Sequence, residues 1–235
     1  MHSSAIQRLA RRPAWILAIL ATLILAGPGT SQGSQLEAGA ARVEITDRNA
    51  GPVNGPSYVK ALALRSGSTT AVIITVDAVA IGELGRIGNS FLANVRTTLR
   101  TDPGIPPENV IVNASHCHSV VRRDADALTV QAVRQAWKKL EPVNAGAGRG
   151  REDRIMENRR LKMKDASEVD MRRAYPMPPD EDVAGAGPVD PEIGLLRLDR
   201  KNGTPLAVLY NFAAHPIQGV PGGGKIPGAG KAARV

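Results

Sequence analysis

Residues 71–81, AVIITVDAVAI, decide the architecture of this chain. The run is apolar nearly throughout, which predicts a strand covered on both faces rather than on one. Beyond it, GRIGNSFLANVRTTLR (85–100) sets Ile87, Phe91, Val95 and Leu99 at four-residue intervals, the spacing of an amphipathic helix. TDPGIPPE then breaks the helix, and NVIVNAS (109–115) begins a second buried strand. On the N-terminal side, YVKALALR (58–65) reads as a strand joined to the first run by SGSTT. AARVEIT (40–46) alternates apolar and polar residues like a half-buried strand, and DRNAGPVNGPS between these two is loop by its Gly, Pro and Asn content.

Further along, DADALTVQAVRQAWKKL (124–140) predicts a second helix, with Leu128, Val130, Val133 and Trp137 near one face. VNAGAGRG reads as a short strand running into loop, and residues 165–192, rich in Pro, Gly, Asp and Glu, as irregular. IGLLRLD, RKNG and TPLAVLYNFAAHP form two β-rich runs around an Asn-Gly turn, a hairpin signature. Strands and helices alternate early and an antiparallel pair comes late. The expectation is a mixed α/β fold with a covered sheet.

Residues 1–35 stand apart as an expected signal peptide, leaving 36–235 as the folded part. The segment has a basic start (Arg8, Arg11, Arg12), an uncharged run of 13 residues at 14–26, and a small-residue exit, GPGTSQGSQ. A membrane span needs roughly 20 apolar residues, so export to the periplasm or medium is expected, with an uncleaved N-terminal anchor as the alternative. Of 30 basic residues in the chain, three lie in this leader, so 27 face 22 acidic ones in the rest. Acids accompany the basic runs, and two Phe, two Trp and three Tyr give no ladder for stacking bases. Nucleic acid is therefore not an expected partner, while contact with an anionic membrane surface stays open. The single cysteine, Cys117, forms no intrachain disulfide, so an exported fold must rest on packing or metal.

Apart from His2, the histidines are His116, His118 and His215, each at or just past the end of an apolar strand. In an extended chain His116 and His118 share a face and Cys117 points the other way. Convergent imidazoles at strand ends suit zinc, which takes neutral nitrogen ligands. Histidines hydrogen-bonded at a strand end are the alternative for so short a motif. Cys117 reads as a small buried residue rather than a ligand or nucleophile. Asp77 is a candidate acceptor for a ligand histidine, or a helix or turn cap, with the cap favoured.

The order of Asp77 at a strand end, IPPENVIVNASHCHS, NRR and VDPEIGLLRLDRKNGTPLAVLYNFAAHP resembles the N-terminal catalytic domain of the neutral/alkaline non-lysosomal ceramidases, from about residue 38 to about 220. The resemblance implies layered mixed β-sheets flanked by helices, of α/β/β/α type and incomplete here. It also implies a zinc-dependent amidohydrolase that cleaves the N-acyl bond of ceramide, or a related acyl amide, to fatty acid and sphingoid base. His116 matches the first histidine of the family's S-H-x-H-S motif, a zinc ligand. His118 matches the second, which lies at the substrate carbonyl, and His215 matches the second zinc histidine. Arg159 matches an arginine that helps hold the amide oxygen; within its basic run a solvated surface role is the alternative. Gly55 matches the glycine-rich loop, a substrate-binding position.

This sequence departs from the family at Cys117, where threonine is usual, and at Val120 and Val121, where Gly-Pro follows the serine. The family's serine nucleophile and two further zinc ligands, a glutamate and a tyrosine, lie beyond the matched region. A truncated, inactive homologue that at most binds metal or lipid is therefore the alternative expectation. A metal-dependent hydrolase of another ester or amide is a third.

Overall fold

A computed structural model describes residues 34–51, 53, 55–156, 158–170 and 178–214. Residues 1–33 of the expected signal peptide 1–35, and His215, lie outside the described residues. The fold is mixed α/β, as expected: the described residues form ten strands in a seven-stranded and a three-stranded sheet, with two α-helices.

The large sheet begins as a meander. β1 (Leu36–Glu44) runs antiparallel to β2 (Tyr58–Ser66), in register from Leu36 opposite Ser66 to Glu44 opposite Tyr58. A two-residue turn at Gly67 and Ser68 leads into antiparallel β3 (Thr69–Val76), with Gly67 in the left-handed region that a tight hairpin requires. Helix α1 (Phe91–Thr101) carries the chain over to β4 (Val110–Ala114), which pairs parallel to β3. The parallel pair exists because a helical crossover separates its strands.

Side-chain alternation sorts this sheet into two faces. Ala61, Ala63, Val72, Ile74, Val76 and Val110 turn toward the helices and are nearly or fully excluded from water. Phe91, Val95 and Leu99 of α1 meet them, each worth about 1.5–3 kcal/mol of apolar burial. Helix α2 (Ala125–Trp137) lies over β1 and β2 and buries Val130, Ala132, Val133 and Ala136, while Leu128 and Trp137 are only half-covered. On the opposite face, Ala38, Leu62, Val143, Leu198 and Ala207 form a second, smaller cluster. The reading of residues 71–81 as covered on both faces thus holds for β3, with Ile73 packed on that second cluster. The strand stops at Val76, however, not at Ile81.

Three local readings differ from the structure. The expected helix over 85–100 starts only at Phe91; Gly85 has positive φ and the segment before Phe91 is loop. VNAGAGRG is the body of a full strand, β5 (Glu141–Arg151). It touches β1 at Glu37–Pro142 and Ala38–Glu141, then pairs with β9 (Glu192–Arg200) along its remaining length. Its alternating glycines present no apolar pattern, so ladder hydrogen bonds rather than side chains define it. Residues 165–192, read as irregular, contain β7 (Glu168–Asp170) and β8 (Val183–Ala186). Both pair with β6 (Arg160–Met163) in the three-stranded sheet.

The Asn-Gly hairpin is present: β9 turns through Lys201–Gly203 into β10 (Pro205–Phe212), which forms the far edge of the large sheet. Gly203 sits at φ 83°. Gly203→Ala is expected to lose about 1 kcal/mol, since a Cβ is disfavoured at this φ; urea unfolding measures it.

Candidate functional site

The histidine pair lies on the loop that leaves β4, at the C-terminal ends of the parallel strands β3 and β4. In open α/β sheets that is where ligand sites gather. This loop is pinned on both sides. At its start, the Ser115 amide donates to the Val76 carbonyl at 2.9 Å, adding one more rung beyond β4. At its end, Val121 bridges to Thr46, with Asp47 N–H donating to Val120 O and Arg122 N–H to Ile45 O.

The two imidazoles meet edge to face, with ring centroids 4.9 Å apart. The route to that arrangement differs from the expected one. β4 ends at Ala114, and His116 adopts a left-handed backbone at φ 57°, so an extended chain is not what brings the rings together. For a non-glycine residue this conformation costs roughly 1–2 kcal/mol and persists only where surrounding contacts enforce it. One such contact is explicit: His116 Nδ1 donates to the Val79 carbonyl at 2.7 Å. Since a carbonyl can only accept, Nδ1 carries a proton, and the neutral ring that makes this bond has its lone pair on Nε2. That is the tautomer in which a metal-binding imidazole is usually held.

Asp77 is fully buried beneath the loop, and in place of the cap favoured from the sequence its carboxylate ties β2 to Ser115; it is not the acceptor for His116. Its Oδ2 accepts from the Tyr58 amide at 2.9 Å and lies 3.7 Å from Lys60 Nζ, while Oδ1 accepts from Ser115 Oγ at 3.2 Å. The acceptor for His116 is a backbone carbonyl two residues further on, which residue type alone does not reveal. Lys60 is the other participant missed by sequence reading; the available signal is a lysine inside the apolar strand YVKALALR.

Cys117 is half-buried, with Sγ 2.8 Å from Ser119 Oγ. Burial pushes its thiol pKa above the ordinary value. The Ser119 hydrogen bond and Lys60 pull it partly back, while Asp77 adds to the rise. A thiol so placed stays protonated near neutral pH, in keeping with a packing role rather than nucleophilic chemistry.

The remaining candidates are placed as follows. Gly55 is half-buried in the bend that leads into β2, three residues before the Tyr58 amide that Asp77 holds. Arg159 is exposed immediately before β6, on the three-stranded sheet and not on the sheet that carries the histidine pair. Among the described residues, no group of three or more His, Cys, Asp and Glu is gathered closely enough to hold a metal ion. His116 has the tautomer such a site needs, and its expected co-ligand His215 is outside the described residues.

A cleft of about 320 Å³ opens beside β1 and β2, between β10 and the C-terminal end of α2, where Gln135 and Lys139 also line it. Leu62 and Ile73 give it an apolar floor, Leu206 and Leu209 of β10 line it, and Arg42 and Lys60 contribute charge. Lys60 therefore belongs both to this cleft and to the buried group under the histidine loop.

No family model matches the chain, and no curated protein matches it. Among solved structures, it is similar to a structure described as ceramidase complexed with C2. The TM-score is 0.58 at 18% identity, over 77% of this chain and 31% of that one. It is also similar to neutral ceramidase from Pseudomonas aeruginosa, with TM-score 0.55 and 16% identity, over 77% of this chain and 32% of that one. The chain thus has a ceramidase-like fold and spans about a third of the length of the ceramidases it matches.

Proposed function

We propose that this chain carries the histidine-bearing part of a zinc-dependent amidohydrolase of the neutral ceramidase type, exported by its leader. It would cleave the N-acyl bond of ceramide, or of a related acyl amide, to a fatty acid and a sphingoid base. The observation that carries this reading is the His116–Val79 hydrogen bond at the mouth of the β3/β4 pair, within a ceramidase-like fold. It fixes the imidazole in the tautomer that offers Nε2 to a cation.

His116 would hold zinc together with His215, and the metal would supply polarisation of the scissile carbonyl or a water of lowered pKa. His118, 4.9 Å away ring to ring, would lie against the amide oxygen and stabilise the negative charge that builds there during attack. Arg159 and Gly55 would assist in holding the amide and the substrate. The apolar floor of the neighbouring cleft gives an acyl chain Leu62, Ile73 and Leu206 to pack against.

The test is zinc stoichiometry on the purified chain alongside hydrolysis of a fluorogenic ceramide, with and without chelator. About one zinc per chain and chelator-sensitive turnover are expected, with His116→Ala lowering zinc affinity at least about 100-fold and abolishing turnover. Zinc binding without turnover would leave an inactive metal-binding homologue as the second reading. Turnover that survives both chelator and His116→Ala would remove zinc from the proposal.

A further inference from the structure

We propose that the buried Asp77–Lys60 pair is the positioning element of the histidine loop, dictating the backbone and tautomer of His116 through Ser115. The inference uses the functional reading only to say what the positioned ring is for.

Three consecutive grips join the end of β3 to the start of the loop. Val76 O accepts the Ser115 amide, Asp77 Oδ1 accepts the Ser115 hydroxyl, and Val79 O accepts His116 Nδ1. Asp77 is the central grip and the one to which the β3 end contributes a side chain rather than a carbonyl. Its two oxygens are divided in labour: Oδ2 is turned to β2, toward the Tyr58 amide and Lys60 Nζ, which leaves Oδ1 aimed at Ser115. Lys60 and the Tyr58 amide thus fix the carboxylate plane, and the carboxylate fixes Ser115, the residue immediately before the left-handed His116.

A pair kept for stability alone has no need of this arrangement. Two well-packed apolar side chains commonly replace a buried ion pair at no loss. What apolar residues cannot reproduce is the directed bond to Ser115. Asp77 and Lys60 are accordingly positioning residues rather than catalytic ones, since neither is assigned a contact with substrate.

The experiment compares the full chain with Lys60→Met/Asp77→Leu and with Ser115→Ala. It reads the ¹⁵N ring signals and ring N–H exchange of His116 by NMR, together with the thermal melt. The wild-type ring is expected as the Nδ1–H tautomer with a protected ring proton. The double variant is expected to melt cooperatively but to lose that tautomer, and Ser115→Ala to speed ring N–H exchange at least tenfold. A folded double variant whose His116 ring keeps the Nδ1–H tautomer overturns the proposal. Should the double variant fail to fold, Ser115→Ala decides alone: an unchanged tautomer and exchange rate overturn it. A chain that shows this ring behaviour yet neither binds zinc nor cleaves an N-acyl amide overturns the functional reading and leaves the positioning role standing.

Discussion

Gly39→Ala is expected to unseat helix α2 from the sheet, lowering stability by about 3 kcal/mol or more and Tm by about 10 °C. A Cβ built on Gly39 overlaps the carbonyl oxygen of Ala136 and comes within 2.9 Å of the Lys139 carbonyl carbon. Both are backbone atoms, one in the last turn of α2 and one just past it, so no rotamer change relieves the clash. The helix must move or the strand must bend, and either opens the layer formed by Val130, Val133 and Ala136. The control is Gly146→Ala in β5, where an added Cβ meets nothing within 4 Å. That substitution is expected to be neutral or slightly stabilising, because alanine restricts the unfolded chain more than glycine does. Equal melts for the two variants would show that α2 does not approach β1 as closely as this.

Asp77→Ala is expected to cost about 3–5 kcal/mol, the range for removing one member of a buried ion pair. The loss takes the Asp77 carboxylate away from Lys60, whose side chain is 11% exposed, and it removes the acceptor for the Tyr58 amide. Adding Lys60→Met should recover part of the loss, since the buried ammonium that faced the carboxylate is then gone. Urea unfolding of the single and double variants measures both. A double variant no more stable than Asp77→Ala would place the cost in the lost hydrogen bonds to Tyr58 and Ser115 instead of in the charge.

The parts of this fold that are legible in the sequence are those that side-chain pattern defines. The β2–β3 and β9–β10 hairpins show as apolar runs around glycine-containing turns. The buried face of α1 shows in the spacing of Phe91, Val95 and Leu99. The location of the histidine pair just past a buried strand is legible for the same reason. β5 is not, because Gly146, Gly148 and Gly150 leave its existence to backbone pairing with a strand some fifty residues later in the chain. The small three-stranded sheet escapes because strands of three or four residues carry no readable period. At the site, residue types announce the imidazoles but not their support. Asp77 reaches Ser115 across a separation of 38 residues, and His116 is held by a carbonyl, a group every residue possesses.

The crossover between β3 and β4 bears on the order of assembly. β2 and β3 can zip through a two-residue turn and β1 can join them across residues 45–57, whereas β4 joins only after the longer stretch 77–109 has been gathered in, and such closures are slow relative to local ones. The imidazole loop hangs from this late-arriving strand and is fastened by residues of the earlier ones. Half-folded molecules therefore possess the meander without the site. In pulse-labelled refolding, the amide of Ile74 is expected to gain protection before that of Ser115, and the reverse order would rule out this sequence of events.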